Sequence, residues 1–194
     1  MVDVIYKGLP DSTSIALADS WGCGNTAYAR YIRIRQPASG ILNLAEIQCW
    51  SSAYRNVNWI NSASSATASS VYSAGGLSYP PSLLVDQSFN TFASTQAQSG
   101  GNEFFLVDLG AVQPVHEINV RNRQDCCQER ANGMIVELLD GNLNLVLSFP
   151  PVSNRLSSTT FSDVGTNGYA EFSFYPSFAS PQNVAISYTT GGWK

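Results

Sequence analysis

Apolar and polar residues alternate over short windows along much of the chain. In Tyr31-Ile32-Arg33-Ile34-Arg35 the isoleucines fall on one face and the arginines on the other, the period-two pattern of a half-buried strand. The window from Val115 to Val120 alternates in the same way, with His116, Ile118 and Val120 sharing a face. Met134 to Leu139 and Glu171 to Tyr175 predict further strands. Turn formers separate these windows: Gln36-Pro37-Ala38-Ser39-Gly40, Asp140-Gly141-Asn142 and Thr166-Asn167-Gly168. No window of helical length carries a 3.6-residue apolar stripe with recognisable caps. Strands at this spacing without helices predict an all-β fold, an antiparallel β-sandwich or jelly roll.

The stretch from Asn61 to Gly76 has the Ser, Ala and Gly content of a linker. It also carries Val71 and Tyr72 and runs into strand-like sequence, so it reads as an irregular edge segment of the same domain. A chain of 194 residues is long enough for one domain with a sizeable core. The expected division is an amino-terminal extension over 1–28, a sandwich over 29–177, and a strand or tail over 178–194.

Composition narrows the function. Charged residues make up 12% and the net charge is −4, with no basic run, which argues against a nucleic-acid partner. The longest apolar stretches, such as Phe104 to Val107, are far too short to span a bilayer. The first two dozen residues place acidic groups early and lack a sustained apolar core, so they do not read as a secretory signal. Either a signal has been removed or the protein is made and assembled in the cytosol. Cys23, Cys49, Cys126 and Cys127 are even in number, which permits disulfides and leaves the redox compartment open. No nucleophile elbow, His-Glu-x-x-His pair or phosphate loop is present, and no two carboxylates stand out as a glycosidase pair. The expectation is a binding protein, not an enzyme.

Four elements in order carry a family resemblance. They are Ala66-Thr67-Ala68-Ser69-Ser70, then Leu84-Val85-Asp86 with Phe92-Ala93-Ser94-Thr95, then Phe104-Phe105-Leu106-Val107-Asp108-Leu109-Gly110, and finally Asn122-Arg123-Gln124-Asp125-Cys126-Cys127-Gln128-Glu129-Arg130. Together they resemble the discoidin superfamily, and within it the F-type (fucose-binding) lectins. In that family a pattern similar to Ala29-Arg30-Tyr31-Ile32-Arg33-Ile34 followed by Leu42-Asn43-Leu44-Ala45-Glu46-Ile47 closes the domain at its carboxy end; here it comes first. The resemblance therefore implies either a circular permutation, which is easy where sandwich termini lie close together, or strands that complete a neighbouring subunit. Permutation is the favoured reading. It predicts that Tyr31–Arg35 pairs with strands of the carboxy-terminal half.

The resemblance also implies a site. Arg123 and Arg130 offer rigid, always-charged donor forks for the ring oxygen and hydroxyls of a sugar, and Asp125 between them would hold a guanidinium in place. A bond between Cys126 and Cys127 would close a small ring, an apolar platform for the carbon face of a sugar. The plainer readings are a loop salt-bridge network and a pair of packed thiols. The family's sugar-contacting histidine falls on Gln96 here, which leaves the identity of the sugar open, and the lone His116 reads as a packed strand residue. The family's calcium ion, held by oxygen ligands, would take Asp86, Ser94 and Glu46 at the matching positions; alternatively, Asp86 caps its own turn. The expected function is a fucolectin-like glycan-binding module acting on glycans or glycoproteins, extracellular or at a virion surface. The alternative is a structural virion protein, a minor capsid or fibre subunit, that uses the fold for homo-oligomeric or larger assembly. The Ala29–Ile34 and Leu42–Ile47 pairing also looks similar to segments of algal-virus and marine microbial proteins.

Overall fold

The structure, a computed structural model, describes residues 17–18, 25–37, 40–61, 64–97, 102–152, 169–176 and 183–189. Its strands, numbered in chain order, form two principal antiparallel sheets. The larger holds β1 (Leu17–Ala18), β2 (Asn25–Gln36), β5 (Ser65–Ala68), β9 (Glu103–Val115), β11 (Ile135–Leu139) and β12 (Leu145–Ser148). Its spatial order is β12-β11-β2-β9-β5, with β1 paired to β2. The smaller sheet holds β4 (Glu46–Trp50), β10 (Glu117–Arg121), β13 (Tyr169–Tyr175) and β14 (Asn183–Thr189), in the order β14-β13-β10-β4. Two short ribbons lie apart: β3 (Asn43–Leu44) with β8 (Ala93–Ser94), and β6 (Ser73–Ala74) with β7 (Leu77–Ser78). Helix is confined, among the described residues, to the single 3-10 turns Pro81–Leu84 and Gln128–Ala131. The chain is thus the all-β antiparallel sandwich that its alternation predicts.

The period-two pattern explains the core. Ile32 and Ile34 of β2, Phe105 and Val107 of β9, and Val136 and Leu138 of β11 are fully buried in one cluster. Ile47 and Cys49 of β4, Ile118 and Val120 of β10, and Phe172 and Phe174 of β13 complete it from the smaller sheet. The intervening residues of β2 point away from this core, where Arg33 and Arg35 both donate to Glu137, at 2.6 and 2.9 Å. Arg30 sits at a register shift between Ala29 and Tyr31 and clamps both oxygens of Asp108 at 3.0 Å.

β2 pairs with β9 along Arg33↔Leu106 and with β11 along Arg33↔Glu137. Tyr31–Arg35 is therefore an interior strand between two strands of the second half of the chain, as its alternation and placement predict. One window reads differently. Val115 to Val120 is not one strand: β9 ends at Val115, β10 starts at Glu117, and the chain passes from the larger sheet to the smaller at His116. Alternation persists through the bend because both sheets contribute to one core. His116 is buried, its N–H donates to the Trp50 carbonyl at 2.8 Å, and its ring meets Tyr175 edge-on.

Turn chemistry agrees with the hairpin between β11 and β12. Asp140 Oδ1 accepts from the backbone N–H groups of Asn142 and Asn144 at 2.8 and 2.9 Å, an Asx-type closure. The Asn61–Gly76 stretch forms the edge strand β5 and the first arm of the β6–β7 ribbon. Cys23, residues 38–39 and the Thr166-Asn167-Gly168 turn lie outside the described residues.

Candidate functional site

The loop that follows β10 carries the Arg-x-Asp-Cys-Cys run, and buried amides fix its path. Asn122 is fully buried; its Oδ1 accepts from the Arg123 N–H at 2.9 Å and its Nδ2 donates to the Gln128 carbonyl at 3.0 Å. Gln128, also buried, returns its amide to the Arg123 carbonyl. From β2, Gln36 Nε2 donates to the carbonyls of Arg130 and Asn132, at 3.0 and 2.9 Å. Cys126 and Cys127 form a disulfide, and Cys127 is left-handed at φ 64°. The loop is thus cross-braced by amides whose hydrogen-bonding capacity has no other outlet in the core.

Arg123 and Arg130 leave this loop in one direction. Arg123 makes a bidentate pair with Asp125, Nε to Oδ1 at 2.7 Å and Nη2 to Oδ2 at 2.5 Å. Those hydrogen bonds, outweighing partial burial, hold the Asp125 carboxyl below its ordinary value. Asn43 of β3 is fully buried between the two arginines. With its amide oxygen turned toward them, it accepts from Arg123 Nη1 at 3.2 Å and from Arg130 Nη1 at 2.9 Å.

An aromatic wall faces the arginines. Tyr72 and Tyr79 flank the β6–β7 ribbon, whose turn, Gly75-Gly76, has φ of 60° and 81°, values that favour glycine at both positions. Tyr79 stacks on Tyr72 with centroids 5.9 Å apart and on Phe92 at 4.7 Å. The Arg123 guanidinium then covers Phe92, 3.8 Å from its centroid. β8 ties the wall to the arginines: Ser94 accepts from the Tyr72 N–H, donates to the Tyr79 carbonyl, and pairs with Asn43.

These groups enclose a pocket of about 210 Å³, lined by Tyr72, Tyr79, Phe92, Ser94, both arginines and both bridged cysteines, with Ile41 at its side. Arg123, Arg130, Cys126 and Cys127 therefore meet as the sequence suggests, with Asp125 behind Arg123. Gln96 is placed elsewhere: its Nε2 donates to the Val71 carbonyl at 3.0 Å, its N–H donates to Ser70 Oγ, and it does not line the pocket. Asn43, which joins the two arginines, and the tyrosine pair in the pocket wall are the residues that sequence reasoning passes over. The one signal for Asn43 is an amide between Leu42 and Leu44, where strand alternation would put one of the two kinds outside; all three are fully buried.

The three residues matched to calcium divide. Glu46 and Asp86 approach each other, and burial first, then the Asp86 charge, push the Glu46 carboxyl up to about 8. Glu46 Oε2 is buried without a hydrogen-bond partner among the described residues. Asp86 also caps its own loop, Oδ1 accepting from the Ser88 N–H and Oδ2 from Thr91 Oγ1, both at 2.8 Å. Ser94 Oγ instead donates to the Thr95 carbonyl at 3.2 Å, and Ser94 belongs to the pocket. Among the described residues no three or more His, Cys, Asp or Glu side chains gather as a metal site. The orphaned Glu46 oxygen and its carboxylate neighbour fit an oxygen-ligated cation only if backbone carbonyls and hydroxyls complete the shell.

Residues 83–179 match the family model described as NedA-like, galactose-binding domain. No curated protein and no solved structure matches the chain significantly. The matched segment runs from the turn before β8 through β13 and includes Phe92, Arg123 and Arg130, while Asn43, Tyr72 and Tyr79 lie ahead of it.

Proposed function

We propose that this chain, which belongs to the NedA-like, galactose-binding domain family, is a glycan-binding module whose sugar site is the pocket between Arg123, Arg130 and the Tyr72–Tyr79–Phe92 wall. The observation that carries the reading is the convergence of two guanidinium forks, a cystine and an aromatic stack on one concavity. Each part answers a feature of a sugar. Guanidinium N–H groups donate to ring and hydroxyl oxygens, while aromatic faces and the Cys126–Cys127 bridge offer apolar surface to its C–H face. Nothing in this arrangement requires a bond to break, so the proposed role is recognition without turnover.

The strands that precede the matched segment complete the site. Ile41 lines it and Asn43 holds its arginines from the amino-terminal half, with Leu42 between them donating its N–H to Thr95 Oγ1 and accepting from the Thr95 N–H. This supports the circular-permutation reading, in which β2 to β4 are the closing strands transposed to the front. Glu46 and Asp86 would hold a calcium ion beneath the loop that carries Phe89 and Phe92; its contribution would be to fix that loop, not to touch the sugar.

Titration calorimetry with galactose and fucose tests the reading. Wild type should bind at least one of them. Arg130→Ala should abolish the heat while shifting the melting temperature by only a few degrees, since a partly exposed loop arginine without a carboxylate partner contributes little to folding. Unchanged binding in Arg123→Ala and Arg130→Ala would move the sugar away from this pocket.

A further inference from the structure

The charge and hydrogen-bonding character of the pocket specify its ligand more narrowly than its shape does. Of the two guanidiniums, only Arg123 is matched by a carboxylate, the bidentate Asp125. Arg130 has no acidic partner among the described residues, and no Asp or Glu side chain lines the pocket. The group between the two cations is a neutral amide, Asn43, so one positive charge is left facing the ligand space. This occurs in a chain whose net charge is −4, which makes the positive locus a local feature and not a general affinity for anions.

The hydrogen-bond inventory points the same way. Guanidinium groups donate and cannot accept. The acceptors nearest the pocket are already taken: Asn43 Oδ1 by both arginines, and the Asp125 oxygens by Arg123. Ser94 Oγ donates to the Thr95 carbonyl and keeps only a neutral hydroxyl oxygen for the pocket, and Gln96, whose Nε2 donates to the Val71 carbonyl, does not line it. A neutral sugar presents hydroxyls that must donate as well as accept, and among the lining side chains their protons meet only the neutral hydroxyl oxygens of Ser94, Tyr72 and Tyr79, with no carboxylate. A carboxylate or sulfate presents acceptors only, and its planar or tripodal oxygens suit an arginine fork with donors to spare.

Resting on the glycan-binding reading above, we infer that the pocket takes an anionic saccharide, one bearing a carboxylate or sulfate seated on Arg130, with Asn43 as the neutral yoke that aligns both arginines without quenching them. An asparagine does this where an aspartate would not. Asp at position 43 would keep the shape and supply the missing negative charge from the protein itself.

Calorimetry on the full chain with galactose, galacturonate and galactose 6-sulfate tests this, because the three share one ring and differ at one carbon. Either anion should bind about tenfold or more tighter than galactose, and that advantage should shrink as salt rises from low to physiological levels. A gain with galacturonate alone assigns the carboxylate, and a gain with the sulfate alone assigns the sulfate. Asn43→Asp should reduce the ratio of anionic to neutral affinity, a readout that general loosening of the pocket would not move selectively. If that variant does not fold, the salt dependence of the wild-type ratio carries the same information. Galactose binding as tightly as both anions overturns the inference and leaves glycan binding standing; no binding of any of the three overturns the inference, and overturns glycan binding as well when fucose also gives no heat.

Discussion

Arg123 sits over the face of Phe92, with the guanidinium carbon 3.8 Å from the ring centroid, while its nitrogens are held by Asp125. Packing and charge thus fix the same fork from two directions. Phe92 in turn is the inner member of a three-ring stack that ends at the exposed Tyr72. The orientation of Arg123 is therefore set by a ribbon some fifty residues upstream in the chain.

Replacing Phe92 with alanine should leave the Arg123–Asp125 pair intact and release the guanidinium plane. A cation–π contact contributes about 0.5–2 kcal/mol, so sugar affinity should fall by roughly two- to thirtyfold. Calorimetry on Phe92→Ala measures it, and Phe92→Tyr should restore most of the loss. Equal affinity in all three proteins would mean that Asp125 alone positions the fork.

The Asp125 carboxyl is held below its ordinary value by the Arg123 hydrogen bonds. A group whose folded value is depressed contributes its full effect above its unfolded value and loses it as pH falls through the folded one. Sugar binding should therefore be flat from about pH 8 to about pH 5 and fall only below the ordinary aspartate value of 3.8. Asp125→Asn should weaken binding at neutral pH and flatten the acid limb. A midpoint near pH 6 in the wild-type affinity would assign the control to another group.

How much of this was legible without coordinates depends on the range of the interaction. The strands around Ile32, Ile34, Ile118 and Val120 announce themselves because alternation is local and burial acts on it directly. The Arg123–Arg130 loop is similarly legible, since its residues are neighbours in sequence and share one path. Asn43 is not, because its meeting with Arg130 depends on the β3–β8 register and on where the loop after β10 folds back. The aromatic stack fails for the same reason: Tyr72, Tyr79 and Phe92 have no common period. Gln96 shows the converse hazard. Counting residues along a loop assigns it a role, but a free backbone carbonyl at Val71 captures its amide. His116 marks the sheet-to-sheet crossing, which alternation alone does not reveal.

Phe105 is fully buried in the middle of the larger sheet, paired across to both Ile34 and Ala68. Phe105→Ala should cost about 3–5 kcal/mol through lost transfer energy and an unfilled cavity. For a chain of this size that corresponds to a fall of about 6–20 °C in melting temperature. Phe104, on the half-exposed face of the same strand, should tolerate alanine with a much smaller fall. Thermal melts of the two variants side by side distinguish the faces, and equal falls would contradict the register.

The remaining prediction concerns the acidic pair below the Phe89–Phe92 loop. Glu46 is 1% exposed, and one of its oxygens has no hydrogen-bond partner among the described residues; Asp86 lies against it. Two carboxylates at such a position repel when both are charged, and a divalent cation between them would remove the repulsion and supply the missing partner. Calcium at about a hundred times its dissociation constant should stabilise the fold by about 2.7 kcal/mol. That is about 5–11 °C in melting temperature for a chain of this length. Chelation should reverse the shift. Glu46→Gln should remove most of the calcium response while melting no lower than the chelated wild type, because the amide ends the charge repulsion without the ion. Differential scanning calorimetry of both proteins, with calcium and with chelator, gives the four values needed. If wild type melts at one temperature in both conditions, the pair is instead a protonated carboxyl hydrogen-bonded to its neighbour, and Glu46→Gln should then be nearly neutral throughout.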